Sequence, residues 1–118
     1  MSWDSRERRK FVRISLPLQI YLSNSPYAVS TKTENISAGG LRIITNHKFN
    51  SGSTVNLKVY AIKKKPIICQ GKILWVFSRK KPQSKDLFYY DTGIEFSKIR
   101  KNDLDLIKKI IVKNLANK

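Results

Sequence analysis

Cysteine and histidine are almost absent from this chain of 118 residues: each occurs once, as Cys69 and His47. A lone cysteine excludes an intrachain disulfide and a multi-cysteine metal site. A lone histidine leaves no histidine-based zinc set within one chain. Acidic residues are scarce as well, 8 against 24 lysines and arginines, so the formal net charge is +16. Such a surface draws anions from a distance in a salt-dependent way. Charge alone admits nucleic acid, nucleotide and anionic membrane. Long apolar runs are missing: the longest uninterrupted one, Ile73 to Phe77, is far too short to span a bilayer. Pro17 and Gln19 interrupt the best apolar stretch behind the basic N-terminal residues, Ile14 to Leu22. No signal peptide is therefore read, and a cytoplasmic location is the expectation. No histidine–nucleophile pair, carboxylate cluster or metal set stands out, so neither enzyme chemistry nor a cofactor is expected.

What is present is a period of two. The length suits one domain with a modest core. Met1 to Arg13 reads as a flexible basic arm, and 14–118 as the folded unit. Ile14, Leu16, Leu18, Ile20 and Leu22 share one face of an extended strand, with Pro17 on the other parity. After the turn signal Ser23-Asn24-Ser25-Pro26, a second strand runs from Tyr27 towards Asn35, and a third begins at Leu41. A fourth carries Val55, Leu57, Val59 and Ala61. A long fifth carries Ile67, Cys69, Gly71, Ile73, Trp75 and Phe77 on one parity. Arg79 to Asp86, with Pro82, reads as a loop before a sixth strand, Phe88 to Phe96. The period then becomes helical. Asn102 or Asp103 can cap a helix whose apolar stripe is Leu104, Ile107, Ile110, Ile111 and Leu115. Six short antiparallel strands followed by one helix predict an all-β fold, a small closed barrel with a C-terminal helix packed on it.

Two stretches carry chemistry. In Arg8-Arg9-Lys10-Phe11-Val12-Arg13, the four-residue spacing of Arg9 and Arg13 puts two guanidinium forks on one side, suited to phosphate oxygens. Arg8 adds a third. Standing alone, this is as readily a solvated basic arm. In Asn35-Ile36-Ser37-Ala38-Gly39-Gly40, Asn35 and Ser37 face one side when extended and can hydrogen-bond a nucleobase edge. The glycines permit a positive φ or the close approach of a ligand. Standing alone, this is more simply a turn between strands. The parity of Trp75 with Ile73 and Phe77 favours a core position over a ligand-facing one.

Taken together, Arg9-x-x-x-Arg13 followed by Asn35-x-Ser37-x-x-Gly40 resembles the PilZ domain family. Gly71-Lys72-Ile73-Leu74-Trp75 looks like that family's fifth strand, Gly93-Ile94-Glu95-Phe96 like its sixth, and the helix follows in place. The resemblance implies a six-stranded barrel that binds cyclic di-GMP. Arg9 and Arg13 would hold phosphates and a guanine Hoogsteen edge, with Arg8 beside them. Asn35 and Ser37 would read a guanine, Gly40 would leave room for it, and Trp75 could pack on a base. Aspartate is commoner at the Asn35 position. The implied mechanism orders the N-terminal arm on ligand binding, and an unidentified downstream protein reads the change. Two other readings stand beside it. One is a basic small-barrel nucleic-acid module stacking bases on Tyr27, Phe88, Tyr89 or Tyr90. The other is a PilZ-like partner protein that no longer binds nucleotide.

Overall fold

The alternation of apolar and polar residues closes into a wall. The computed structural model describes residues 12–62, 64–82 and 87–116. The strands are β1 (Gln19–Asn24), β2 (Tyr27–Ser37), β3 (Gly40–Thr45), β4 (Thr54–Ile62), β5 (Lys65–Lys80) and β6 (Phe88–Lys98), followed by the helix α1 (Lys101–Ala116). Every neighbouring pair is antiparallel, and the order β1-β2-β3-β6-β5-β4 closes the sheet on itself. This is the six-stranded barrel with a C-terminal helix expected from the pattern. Its interior is filled by alternate residues of each strand, among them Ile20, Leu22, Ile36, Leu41, Ile43, Leu57, Val59, Ile73 and Ile94. Each such aliphatic side chain contributes about 1.5–3 kcal/mol on burial.

The first strand is shorter than its alternation. Ile14 makes only an isolated bridge to Ile36, with N–H to O distances of 3.0 Å in both directions, and the regular ladder begins at Gln19. Pro17 explains the gap, since it has no N–H to give. The Thr33 side chain fills in beside it. Its hydroxyl donates to the Leu16 carbonyl at 2.6 Å and accepts from the Leu18 N–H at 2.9 Å.

The last strands differ more. β5 runs on to Lys80, so Arg79 and Lys80 are strand, not loop. Ile73 pairs with Ile94, but Trp75 pairs with Gly93, and the extra residue Leu74 forms a bulge. A bulge of one residue exchanges the faces of everything after it. Val76 therefore takes the inward side with Thr92, while Trp75 and Phe77 take the outward side, against the parity counted from sequence. The helix begins earlier than expected. The Arg100 carbonyl accepts the first helical bond from Leu104 N–H, so Asn102 and Asp103 lie in the first turn. Ile107 and Ile111 are its buried residues, and Leu115, expected on the apolar stripe, is 42% exposed.

Candidate functional site

The outer surface of β2, β3, β6 and β5 brings Arg13 of the first chemical stretch to Asn35 of the second. Ile36, Leu41 and Ile94 point into the barrel, so their neighbours Asn35, Arg42 and Gly93 point out. The register aligns Asn35 with Arg42, Arg42 with Gly93, and Gly93 with Trp75. These four residues make one row about 14 Å long across four strands. The bridge between Ile14 and Ile36 delivers Arg13 to the same surface. Its Nη1 donates to Asn35 Oδ1 at 2.8 Å, joining residues 22 apart in sequence. Arg8 and Arg9 lie outside the described residues.

Ser37 and Gly40 sit at the turn that ends this surface. Ser37 is 1% exposed. Its hydroxyl accepts from Gly39 N–H at 3.1 Å and donates to the Gly40 carbonyl at 3.4 Å. A ligand reaching Ser37 would have to displace those bonds. Neither Gly39 nor Gly40 takes a positive φ, the freedom the sequence suggested for them. Gly40 is required by close packing instead: a Cβ there would collide with the Ile94 carbonyl of β6. Beside the turn lies a hollow of 320 Å³, lined by Arg13, Ser37, Gly40, Leu74, Glu95 and Leu104 among others.

Trp75 is half-buried on the outside of the barrel, not in its core. The Leu74 bulge turns it outward, and its indole lies across Gly93, where a Cβ would come within 2.6 Å of Cζ2 and nearer still to Cε2 and Nε1. Phe77 continues the aromatic strip, its ring centroid 5.2 Å from that of Trp75 and tilted by 30°. At 55% exposure Phe77 presents most of its ring to solvent.

A family model described as the PilZ domain matches residues 7–113. The chain belongs to the PilZ domain family. Solved structures with the same fold include the Bacillus subtilis inhibitor of motility, MotI/DgrA, at 22% identity and a TM-score of 0.77. That likeness covers 94% of this chain and 52% of the other. The PilZ domain of YcgR from Escherichia coli with c-di-GMP is similar at 14% identity and a TM-score of 0.70, covering 90% of each chain. The K. pneumonia MrkH–c-di-GMP complex is similar at 17% identity and a TM-score of 0.70, covering 93% of this chain and 53% of that one. The chain thus spans about half the length of MotI and MrkH and nearly all of the YcgR domain. No curated protein matches the sequence.

On this PilZ barrel the site has a cationic cluster that the sequence did not disclose. Arg42 Nε and Nη2 donate to the two carboxylate oxygens of Asp91 at 2.7 and 2.8 Å. Arg79 Nε lies 3.6 Å from the same carboxylate. Asp91 is 3% exposed although it faces outward, because these side chains cover it. The hydrogen bonds from Arg42 hold its carboxyl below the usual range against the opposing effect of burial, and the Arg42 guanidinium is held above its own. The arrangement leaves one net positive charge and three Arg42 N–H groups unspent on Asp91. Two arginines 37 apart and an aspartate 49 beyond the first carry no spacing signal in sequence. Only the outward parity of Arg42, seven residues after Asn35, marked it as a neighbour.

Proposed function

We propose that this PilZ domain is a receptor for cyclic di-GMP. The observation that carries the reading is the bond between Arg13 and Asn35, which ties the last arginine of the first stretch to the first residue of the Asn-x-Ser-x-x-Gly stretch. Support comes from the similar YcgR PilZ domain and MrkH, both of which were solved with c-di-GMP. Arg9 and Arg13 hold phosphates and the Hoogsteen edge of a guanine, and Arg8 contacts the ligand beside them. Asn35 spends its Oδ1 on Arg13 and keeps its amide N–H groups to donate to guanine acceptors. Gly40 keeps the turn close to the barrel, Ser37 braces that turn at the edge of the site, and Trp75 offers an indole face on the far side of the row.

The role is binding, not catalysis. Cys69 is 6% exposed, and burial pushes its thiol up to about 11, with Asp103 adding to the effect. His47 is stacked on Tyr27 at 4.1 Å and capped edge-on by Phe49 at 4.5 Å. Neither is placed as a nucleophile or base. The output is conformational. A doubly anionic ligand neutralises the arginines of residues 1–13 and folds that arm over the row from Asn35 to Trp75. A partner protein then reads the altered surface. The ligand shifts the arm only by its differential affinity for the folded-down state.

The test is isothermal titration with cyclic di-GMP, with GTP and cyclic di-AMP as controls. Selective binding is expected. Arg9→Ala and Arg13→Ala should each weaken it by at least about tenfold, the loss of one charge-assisted hydrogen bond to phosphate. Unchanged affinity in both variants would remove the site assignment, and absence of heat in the native protein would remove the receptor reading.

A further inference from the structure

The positive charge is not spread evenly, and part of it lies away from the row of Asn35 to Trp75. No aspartate or glutamate occurs between Glu34 and Asp86, while eleven lysines and arginines do. None occurs between Glu7 and Glu34 either. The strands β1 and β4, the first half of β2 and the first half of β5 are therefore free of acid. They form the side of the barrel opposite the candidate nucleotide site.

The outward residues of that side fall into rows across the strands. Ser30, Tyr21, Lys58 and Ile68 lie side by side, and Lys32, Gln19 and Tyr60 form the next row. On the other flank come Ala28, Ser23, Asn56 and Gln70. Tyr21 and Tyr60 meet edge to face, with centroids 5.7 Å apart and planes at 77°. A hollow of 510 Å³ opens beside them, lined by Ser30, Asn56, Lys58 and Ile68 as well as the two tyrosines. A second hollow of 460 Å³ on the other side of the tyrosines reaches Gln19 and Lys64. Tyr21 is 45% exposed and Ile68 65% exposed, so aromatic and aliphatic surface is open to a ligand.

We infer that this side of the barrel is a second binding face, one for single-stranded nucleic acid. Three features meet there. Lysines at 32, 58, 64 and 65 supply cations for a phosphate backbone, and β1 and β4, which run between them, carry no carboxylate to repel it. Tyr21 and Tyr60 supply rings on which unpaired bases stack, and the hollows between strands accept bases turned inward. Gln19, Asn56 and Gln70 supply amide donors and acceptors for base edges. A duplex keeps its bases stacked on one another and would leave the tyrosines idle. An acidic polypeptide would satisfy the lysines but would not need the exposed ring faces. The aromatic residues that sequence alone offered for stacking do not assemble here: Tyr27 is stacked on His47, and Phe88, Tyr89 and Tyr90 belong to β6. This inference stands independently of cyclic di-GMP, since the two faces share no residue.

The experiment is fluorescence anisotropy of the full chain with a labelled dT15 oligonucleotide. Binding is expected at 50 mM salt. With about five phosphates neutralised, affinity should fall roughly 50-fold on going to 150 mM, from a slope of about −0.7 per phosphate for a single strand. Tyr21→Ala should weaken binding on the order of tenfold. Lys58→Glu should weaken it at least as much, while Lys108→Glu, the same charge change placed on α1, should cost about twofold at most. Thermal melts check that each variant is folded, and the exposed Lys58 keeps the test valid should Tyr21→Ala lose stability. No binding at 50 mM salt overturns the inference. So does an equal loss in Lys108→Glu, which would mark mere polyelectrolyte attraction. Competition by poly-glutamate as strong as that by unlabelled dT15 also overturns it, and would reassign the face to an acidic polypeptide.

Discussion

Gly93→Ala is the sharpest single perturbation of the candidate site's wall. The new methyl would point outward from β6 into the indole of Trp75, 2.6 Å from Cζ2. Restoring an ordinary contact near 3.5 Å requires the ring to lift by roughly 0.9 Å or more. The barrel wall lies beneath, so the ring can move only towards solvent. Uncovering about 40–60 Å² of indole costs about 1–1.5 kcal/mol at ~25 cal/mol per Å². Residual crowding against Phe77 raises the sum to about 1–2 kcal/mol. For a domain of this size that corresponds to a fall in Tm of roughly 4–8 °C. The assay is thermal unfolding by circular dichroism, together with indole emission in a Trp3→Phe background so that Trp75 reports alone. A red-shifted emission and a lowered Tm are expected, with the β-sheet signal retained. If Trp75 also serves as the ligand's platform, cyclic di-GMP affinity falls in parallel. Unchanged emission and unchanged Tm would refute the placement of the indole over Gly93, and with it the outward turn at Leu74.

Three further outcomes follow from the geometry. Asp91→Asn should destabilise the fold by about 1–3 kcal/mol at pH 7 by leaving Arg42 without its bidentate partner. Because the native carboxyl is held below its ordinary value, that contribution is complete above about pH 4 and disappears as pH falls through the folded-state value. Urea titrations should therefore show the native and Asn forms converging at low pH, and a gap that widened towards pH 3 would contradict the ion pair. Lys64 takes a φ of 70° in the β4–β5 turn, so Lys64→Gly should raise Tm by about 2 °C, and a lowered Tm would count against that turn geometry. Cys69, buried and protonated, should react with a disulfide reagent at pH 8 only as fast as the protein unfolds; immediate labelling of the native protein would contradict its burial.

Much of this molecule was legible before any coordinates. Strand alternation marked the six strands because each places one face in a single core. The arginine stretch and the Asn-x-Ser-x-x-Gly stretch could be joined in advance because each is local. What failed was counting through irregularities. Nothing in Ile73-Leu74-Trp75 announces a bulge, so period two carried Trp75 and Phe77 inward when the chain in fact turns them out. Pro17 warned of a break, yet the side-chain bridge from Thr33 that spans it depends on a residue sixteen positions away. Arg42, Arg79 and Asp91 are assembled by register alone, which no local pattern encodes. Ser37 and Gly40 stand out in the sequence as candidate ligand contacts, and the structure gives each a structural role: a braced turn and a backbone contact with β6.

Closure of the barrel limits how a partner protein can be recruited. A sheet with a free edge can recruit a partner by lending it main-chain hydrogen bonds, and specificity then comes cheaply through strand addition. Here each strand has neighbours on both sides for at least part of its length, β5 beyond Ile73 being paired with β6 alone, and the end of β2 beyond the ladder is already occupied by the bridge from Ile14. Among the described residues, the surfaces left open to a partner are the side chains on the barrel's outer faces, the one-sided end of β5, the helix, and the segment leading into Ile14. Only the last of these joins the rest of the chain at the very turn where Ser37 and Gly40 stand.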